Sequence, residues 1–367
     1  GAILYNTDTH VVSITNSVFD SNFAKSLNTS LWGGILFNGR PTTSSGQEMT
    51  NAVIDLIQNV SFVNNNAFSE IGAPHGAVIL NQYARIGTID NVLFENNTMT
   101  GTSDKSGGAH GVGIDNNEAG FIEKITNSTF RNNYSYRTGT QEFSSSTNYH
   151  ASGGAMDNYH YIGEISSCVF EGNHTSAESV SASTTGGAIM NVAYVTTTDM
   201  GRGYIGKIVD TKFINNHVES AGRSQGGAIA TGNSGEATSA EIGEITNVLF
   251  SGNYASSTMQ YAYGGAIEND GKIGATTAFF YNNYVKAQRN ESGYFGAYGG
   301  AITNFGEIAA LNSVFVGNYA ENTSGASGAA GGAIYNRNGE GIGEIIGNFE
   351  KNYAKATGGN ALDRKSV

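Results

Sequence analysis

Residues 264–284 read GGAIENDGKIGATTAFFYNNY, and the three elements in that stretch recur along the whole chain. Gly-Gly-Ala-Ile-x-Asn returns at 299–304 and 331–336, with looser copies at 33–38 and 76–81. Ile-Gly-Glu-Ile follows it, clearest at Ile162, Ile242 and Ile342. Phe-x-x-Asn closes the unit ten times, with Phe at 19, 62, 94, 130, 170, 213, 250, 280, 315 and 349, and successive copies lie 30 to 43 residues apart. Self-similarity at such a period decides the architecture before any other signal is weighed.

The aligned columns behave as strand positions. The isoleucine of the glycine element is apolar in every copy, from Leu4 and Leu36 through Met156 to Ile302 and Ile334. The residue after it is unrestricted (Tyr5, Asp115, Glu268, Thr303), which predicts an outward-facing position in a period-two strand. Two residues before each Phe the side chain is small, as at Ser128, Cys168, Thr211 and Ala278, which leaves inward space for the ring. Three short strands per repeat, none able to bury its apolar face alone, are stable only when each copy stacks on the next. The fold class is therefore all-β: a right-handed, single-stranded parallel β-helix (β-solenoid) of about ten three-stranded rungs, spaced about 4.8 Å apart.

The glycine pair marks where the chain returns to the stack after a segment of free length, since a residue without Cβ can turn sharply and let rungs approach closely. The asparagines of both motifs read as structural ladders, because Asn tolerates left-handed turns and stacked amides hydrogen-bond from rung to rung. One column alternates in sign over four rungs, Lys124, Glu164, Lys207 and Glu244, so stacked neighbours there attract.

Composition narrows the rest. Among 367 residues there are 51 glycines but no Gly-X-Y period, which excludes collagen. A net charge of −12 argues against a nucleic-acid partner. The single cysteine, Cys168, forbids an internal disulfide and fits an inert core thiol. No apolar run approaches the roughly 20 residues of a membrane helix, so no membrane insertion is expected of this segment. Residues 1–367 read as one β-helix domain that starts and stops within repeats, as a segment of a longer exported protein would.

The paired Gly-Gly-Ala-Ile and Phe-x-x-Asn repeats resemble the passenger domains of polymorphic outer membrane protein-like autotransporter adhesins, over essentially the whole chain. The resemblance implies a right-handed β-helix displayed at the bacterial cell surface or secreted, and used for adhesion. The signal and the membrane barrel of that group are not in these residues, so the export route is inferred from the resemblance alone.

Catalytic chemistry is hard to find. Glycoside hydrolysis asks for two carboxylates about 5 to 9.5 Å apart, and the chain has no Asp-Asp pair. His75-Gly76 and His110-Gly111 fall on separate rungs without a basic companion and read as coincidence. The seven histidines show no metal-ligand spacing, no Gly-x-Ser-x-Gly elbow occurs, and neither a cofactor nor a metal is expected. Tyr134, His174, His217, Tyr254, Tyr284, Tyr319 and Tyr353 share one column after the ladder Asn and read as an aromatic stack.

Function then belongs where repetition breaks. Two long excursions, from Tyr134 to Ser152 and from Tyr284 to Tyr298, leave the same corner of the fourth and eighth rungs. They carry Tyr136, Arg137, Tyr149 and His150, and Arg289, Tyr294, Phe295 and Tyr298, residue types that dominate binding hot spots. These are the expected ligand contacts, with a host or bacterial cell-surface protein or glycan as partner. Two other classes stay open: a filament assembled by end-to-end or side-by-side association, and a β-helix that binds or degrades polysaccharide.

Overall fold

Each Phe lies in a strand that pairs in parallel with the equivalent strand of the next copy, Phe94 with Phe130 and Phe130 with Phe170, and this register repeats along the chain. In the computed structural model the result is a parallel β-solenoid of ten rungs, numbered here by their Phe. It describes all residues except 1–2, 41–50, 103–107, 140–150, 196–199, 234–239, 290–294, 326, 338–340, 359 and 363–367.

Four sheets run along the axis where three were expected. The glycine sheet holds strands such as Ile114–Asn116 and Met156–Asn158. The phenylalanine sheet carries both the Ile-Gly-Glu-Ile and the Phe segments, as in Tyr161–Ser166 and Val169–Glu171. The tyrosine sheet follows the ladder Asn, as in Tyr134–Arg137 and His174–Ala177. The additional one, here the short sheet, precedes the glycine pair with strands of two to four residues, among them Pro74–His75, Ala109–His110 and Ala151–Ser152. One of its columns varies freely, while the other repeats alanine (Ala109, Ala151, Ala262, Ala297, Ala329) in strands too short to show a period-two pattern.

The core is what the columns promised. Nine ring-on-ring contacts join Phe19 to Phe349 without a gap, at 4.5 to 5.3 Å between centroids. The isoleucines of the glycine and phenylalanine sheets close around them, and the small column (Val92, Ser128, Cys168, Thr211) is buried beside the rings. Burial pushes the Cys168 thiol up to about 12, as an inert core thiol requires.

The glycine pair works by two different constraints. In Gly153-Gly154 the first residue takes φ +49°, where a side chain would be strained. A Cβ on the second would lie 2.2 Å from the Gly187 carbonyl oxygen of the next rung, so only hydrogen fits.

Both asparagine ladders form. Asn133 Nδ2 donates to Asn173 Oδ1 at 2.9 Å, and Asn173 repeats this onto Asn216. At the other corner Asn116 Nδ2 donates to Asn158 Oδ1 at 2.8 Å. The left-handed turns, however, belong to the residue before the ladder Asn, as at Asn96, Asn132 and Asn215, while the ladder amides themselves do the bonding.

Candidate functional site

The structure distributes the eight expected contact residues unevenly. Tyr149, His150 and Tyr294 lie outside the described residues, and Phe295 opens a short-sheet strand, Phe295–Tyr298. Tyr136 and Arg137 end the tyrosine-sheet strand of rung four, where the Tyr136 hydroxyl donates to Glu178. Arg137 is 4 % exposed, Arg289 8 % and Tyr298 5 %. The Arg289 guanidinium sits 3.9 Å from the Tyr261 ring centroid, and Tyr298 stacks on Tyr263 at 5.1 Å. These three side chains are bound up within the fold, and only Tyr136 offers described surface. The corner itself stands as expected: both excursions run from the tyrosine sheet to the short sheet.

The tyrosine column is a continuous stack from Tyr134 to Tyr353, with centroids 3.8 to 5.1 Å apart. Ring faces there are spent on one another, which leaves edges and hydroxyls for solvent. Tyr254 donates to Glu219 at 2.7 Å, and burial with that bond raises its pKa. His174 and His217 stack at 4.7 Å within the column; burial lowers His174 to about 4 and lowers His217 as well.

The densest cluster of chemistry lies where sequence reasoning placed none. At the glycine kink the short sheet folds over the glycine sheet, so the position after the isoleucine is covered within the stack, although Tyr5 in the first rung is exposed as expected. Asp115, Asp157 and Thr303 are fully buried and Glu268 is 3 % exposed. A period-two pattern gives the parity of a side chain but not whether another sheet lies above it, which is why the outward expectation fails here.

Over rungs three to five this seam joins imidazoles to carboxylates. His75 and His110, adjacent in register, stack at 5.0 Å, with Trp32 on the far side of His75 at 4.5 Å. Asp115 and Asp157 are likewise register partners. His75 Nδ1 lies 3.0 Å from Asp115 Oδ2, and His110 Nδ1 lies 3.3 Å from Asp157 Oδ2. Ser152 Oγ donates to Asp157 Oδ2 at 2.5 Å, and His110 Nδ1 also meets Ser152 Oγ and the Tyr159 hydroxyl, each at 3.0 Å. Asn117 Nδ2 reaches both His75 Nδ1 and Asp115 Oδ2. Burial lowers His75 to about 4, against the pull of Asp157 and Glu118. Burial and then Asp157 raise Asp115 well above the usual carboxylate range. Both shifts favour the uncharged forms at the His75–Asp115 contact, and burial is the first cause of each.

The missing Asp-Asp pair was thus a matter of looking along the chain: the solenoid pairs Asp115 with Asp157 across rungs. The available signal was that His75 and His110 occupy the same place before their glycine elements, and Asp115 and Asp157 the same place after the apolar residue. Among the described residues no group of three or more His, Cys, Asp or Glu side chains could hold a metal ion. No protein-family profile, curated protein or solved structure matches the chain.

Proposed function

We propose that this chain is a bacterial cell-surface or secreted solenoid that acts as an adhesin of the autotransporter-passenger kind. It would bind a protein or glycan of a host or neighbouring cell through segments at the corner between the tyrosine and short sheets. The observation that carries this reading is that the repeated columns are consumed internally. Ring faces stack on rings, ladder amides bond to ladder amides, and the seam carboxylates are buried. A partner is then left with the segments that repetition does not fix. At this corner the longest joins Arg137 to Ala151, and a second joins Ala287 to Phe295.

The burial of Arg137, Arg289 and Tyr298 narrows the test to the excursions themselves. Residues 140–150 and 290–294 are replaced by short Gly-Ser links, and melting temperature is compared with attachment to cells and to immobilised glycans. The expected result is an unchanged fold with attachment lost, since changing the length of a connection alters its closure entropy only slightly. Attachment equal to the parent, in a variant that melts like the parent, overturns the assignment of contact to this corner.

A further inference from the structure

The seam over rungs three to five is closed to ordinary ligands. Its two carboxylates are fully buried, and His75 and His110 show only 15 % and 13 % of their side chains. The species that can reach these groups without displacing the short strands is a proton. We propose that the seam is a proton-operated catch, which holds Pro74–His75, Ala109–His110 and Ala151–Ser152 on the glycine sheet near neutral pH and releases them in acid.

The groups that face the two imidazoles come from every side. The short sheet contributes Ser152, the glycine sheet Asp115 and Asp157, and the following turns Glu118 and Tyr159, while Trp32 caps the stack. Near neutral pH His75 is uncharged, and burial favours the protonated form of Asp115 beside it. Adding a proton to His75 places a charge on a buried ring stacked between Trp32 and His110, at 4.5 and 5.0 Å, where burial already disfavours it. His75 is held below its ordinary value of 6.5, so between 6.5 and about 4 the released state binds the proton that the folded state refuses. Stability from this group is therefore present above that window and lost as the pH falls through it. The strands involved are the shortest in the rung, two residues each, and the chain from Arg137 returns to the solenoid through one of them.

The same seam supplies its own reference. In rung nine Tyr298 and Thr303 stand where rungs three to five have imidazole or serine and carboxylate, and the Gly264 N–H of rung eight donates to Tyr298 O at 3.1 Å and to Thr303 Oγ1 at 2.9 Å. Glu268, the buried carboxyl of rung eight, is raised by burial to about 8, above both pH values of the test. Amide hydrogen exchange, corrected for its intrinsic pH dependence, is measured near pH 7 and near pH 4.5 on the full chain. The reporters are Gly76, Gly111 and Gly153, whose N–H groups donate to His110, Ser152 and Thr185 of the next rung, with Gly264 and Gly299 for comparison. Protection at the first three is expected to fall about tenfold or more in acid while the other two hold. The double variant His75→Gln with His110→Gln should lose that difference, and ring-proton NMR of His75 in the parent should place its titration below 6. Protection that falls equally in both regions, no fall at all, or a folded double variant that keeps the acid response overturns the catch. Each of these readings concerns the solenoid alone, so its failure and the failure of the adhesin proposal are distinguishable.

Discussion

The two asparagine ladders run the length of the solenoid one corner apart, and they differ in how much backbone they hold. Between the phenylalanine and tyrosine sheets each Asn uses its whole amide. Asn133 Nδ2 donates to Asn173 Oδ1 and to the Phe94 carbonyl, while its N–H donates to Asn173 Oδ1 as well. Between the glycine and phenylalanine sheets, Asn116 Nδ2 donates to Asn158 Oδ1 and to the Gly120 and Tyr161 carbonyls. No bond from its backbone N–H to Asn158 Oδ1 is formed among the described contacts. The first ladder is unbroken from Asn22 to Asn352, and in every rung the chain steps from it straight into the tyrosine sheet. The second is interrupted at Thr231, and it is after this ladder that the chain takes excursions such as the antiparallel pair Ile189–Val195 with Met200–Gly201. An amide that also captures the next backbone fixes the length of its turn; one that bonds only amide and carbonyl lets the turn vary.

The largest effect should come from the column that the first ladder leans on. Phe213 is fully buried between Phe170 and Phe250, at 4.8 and 5.0 Å, and its carbonyl accepts from Asn253. Phe213→Ala is expected to cost about 3–5 kcal/mol, since a ring-sized void in a continuous stack cannot collapse without moving both neighbours. Chemical denaturation measures it, and an unchanged midpoint would mean the stack is not the core. The ladders can then be set against each other directly. Asn173→Ala strands the Asn133 N–H and Nδ2 groups and frees the Phe130 carbonyl, all buried. Asn158→Ala strands one amide bond from Asn116 and frees Asn191 Oδ1 and the Tyr204 carbonyl, but it strands no backbone N–H. With about 1–3 kcal/mol for each unsatisfied buried group, Asn173→Ala should be the more damaging by a kilocalorie or more, about a factor of ten in the folding equilibrium. Equal losses would erase the distinction drawn here.

Much of this was legible in the sequence because a solenoid writes each spatial column as a repeated letter. The Phe stack, the glycine pair, the ladders and the tyrosine stack each keep one place in the repeat, and each forms, the second ladder with its break at Thr231 and the tyrosine stack from Tyr134 onward. What was not legible depends on which sheet covers which. The short sheet has one column that varies through Trp32, His75, Ser152, Gln225 and Tyr298, and the alanines that recur in its other column stand in strands of two to four residues, too short for a period-two pattern to mark. Without it in view, Asp115 and Asp157 look exposed and Tyr298 looks available. Arg137 and Arg289 mislead for a related reason: a guanidinium next to an excursion reads as surface, yet both are buried.

A smaller effect should appear where the second ladder is broken. Thr231 Oγ1 is buried without a hydrogen-bond partner among the described residues, and Asn191 Nδ2 bonds instead to the Gly203 and Glu241 carbonyls. Thr231→Asn would give Asn191 an amide oxygen and offer a donor to Asn269, joining the two halves of the ladder. A gain of about 0.5–1.5 kcal/mol is expected, seen as a higher melting temperature. The backbone of Gly271 passes close by, and a Cβ there would lie 3.0 Å from the Thr231 methyl. A loss of stability would show that this space has no room for the larger side chain.

The smallest effect concerns the charged column, where geometry is favourable but solvent is close. Lys207 Nζ lies 3.2 Å from Glu164 Oε2, with 46 % and 25 % of the two side chains exposed. The register that pairs Ile205 with Ile242 and Ile208 with Ile245 puts Lys207 opposite Glu244 on the other side. A bond from Ser166 and the Lys207 ammonium together hold the Glu164 carboxyl below its ordinary range. Lys207→Glu would stack three carboxylates at rung spacing in place of an alternating row. Water screens a lysine this exposed, so the expected loss is only about 0.2–1 kcal/mol and should shrink as salt is added. The sign with pH is fixed as well: Glu164 is depressed in the fold, so its contribution is present above the ordinary glutamate range and is lost as the pH falls through its folded value. In the variant that acid-side loss should weaken, because the ammonium that helped to depress Glu164 is gone. Denaturation at low and high salt, for parent and variant, reads the size and the screening together. A variant that loses several kilocalories, or whose deficit ignores salt, would place this column among the elements that build the solenoid, where the ladders and the Phe stack already stand.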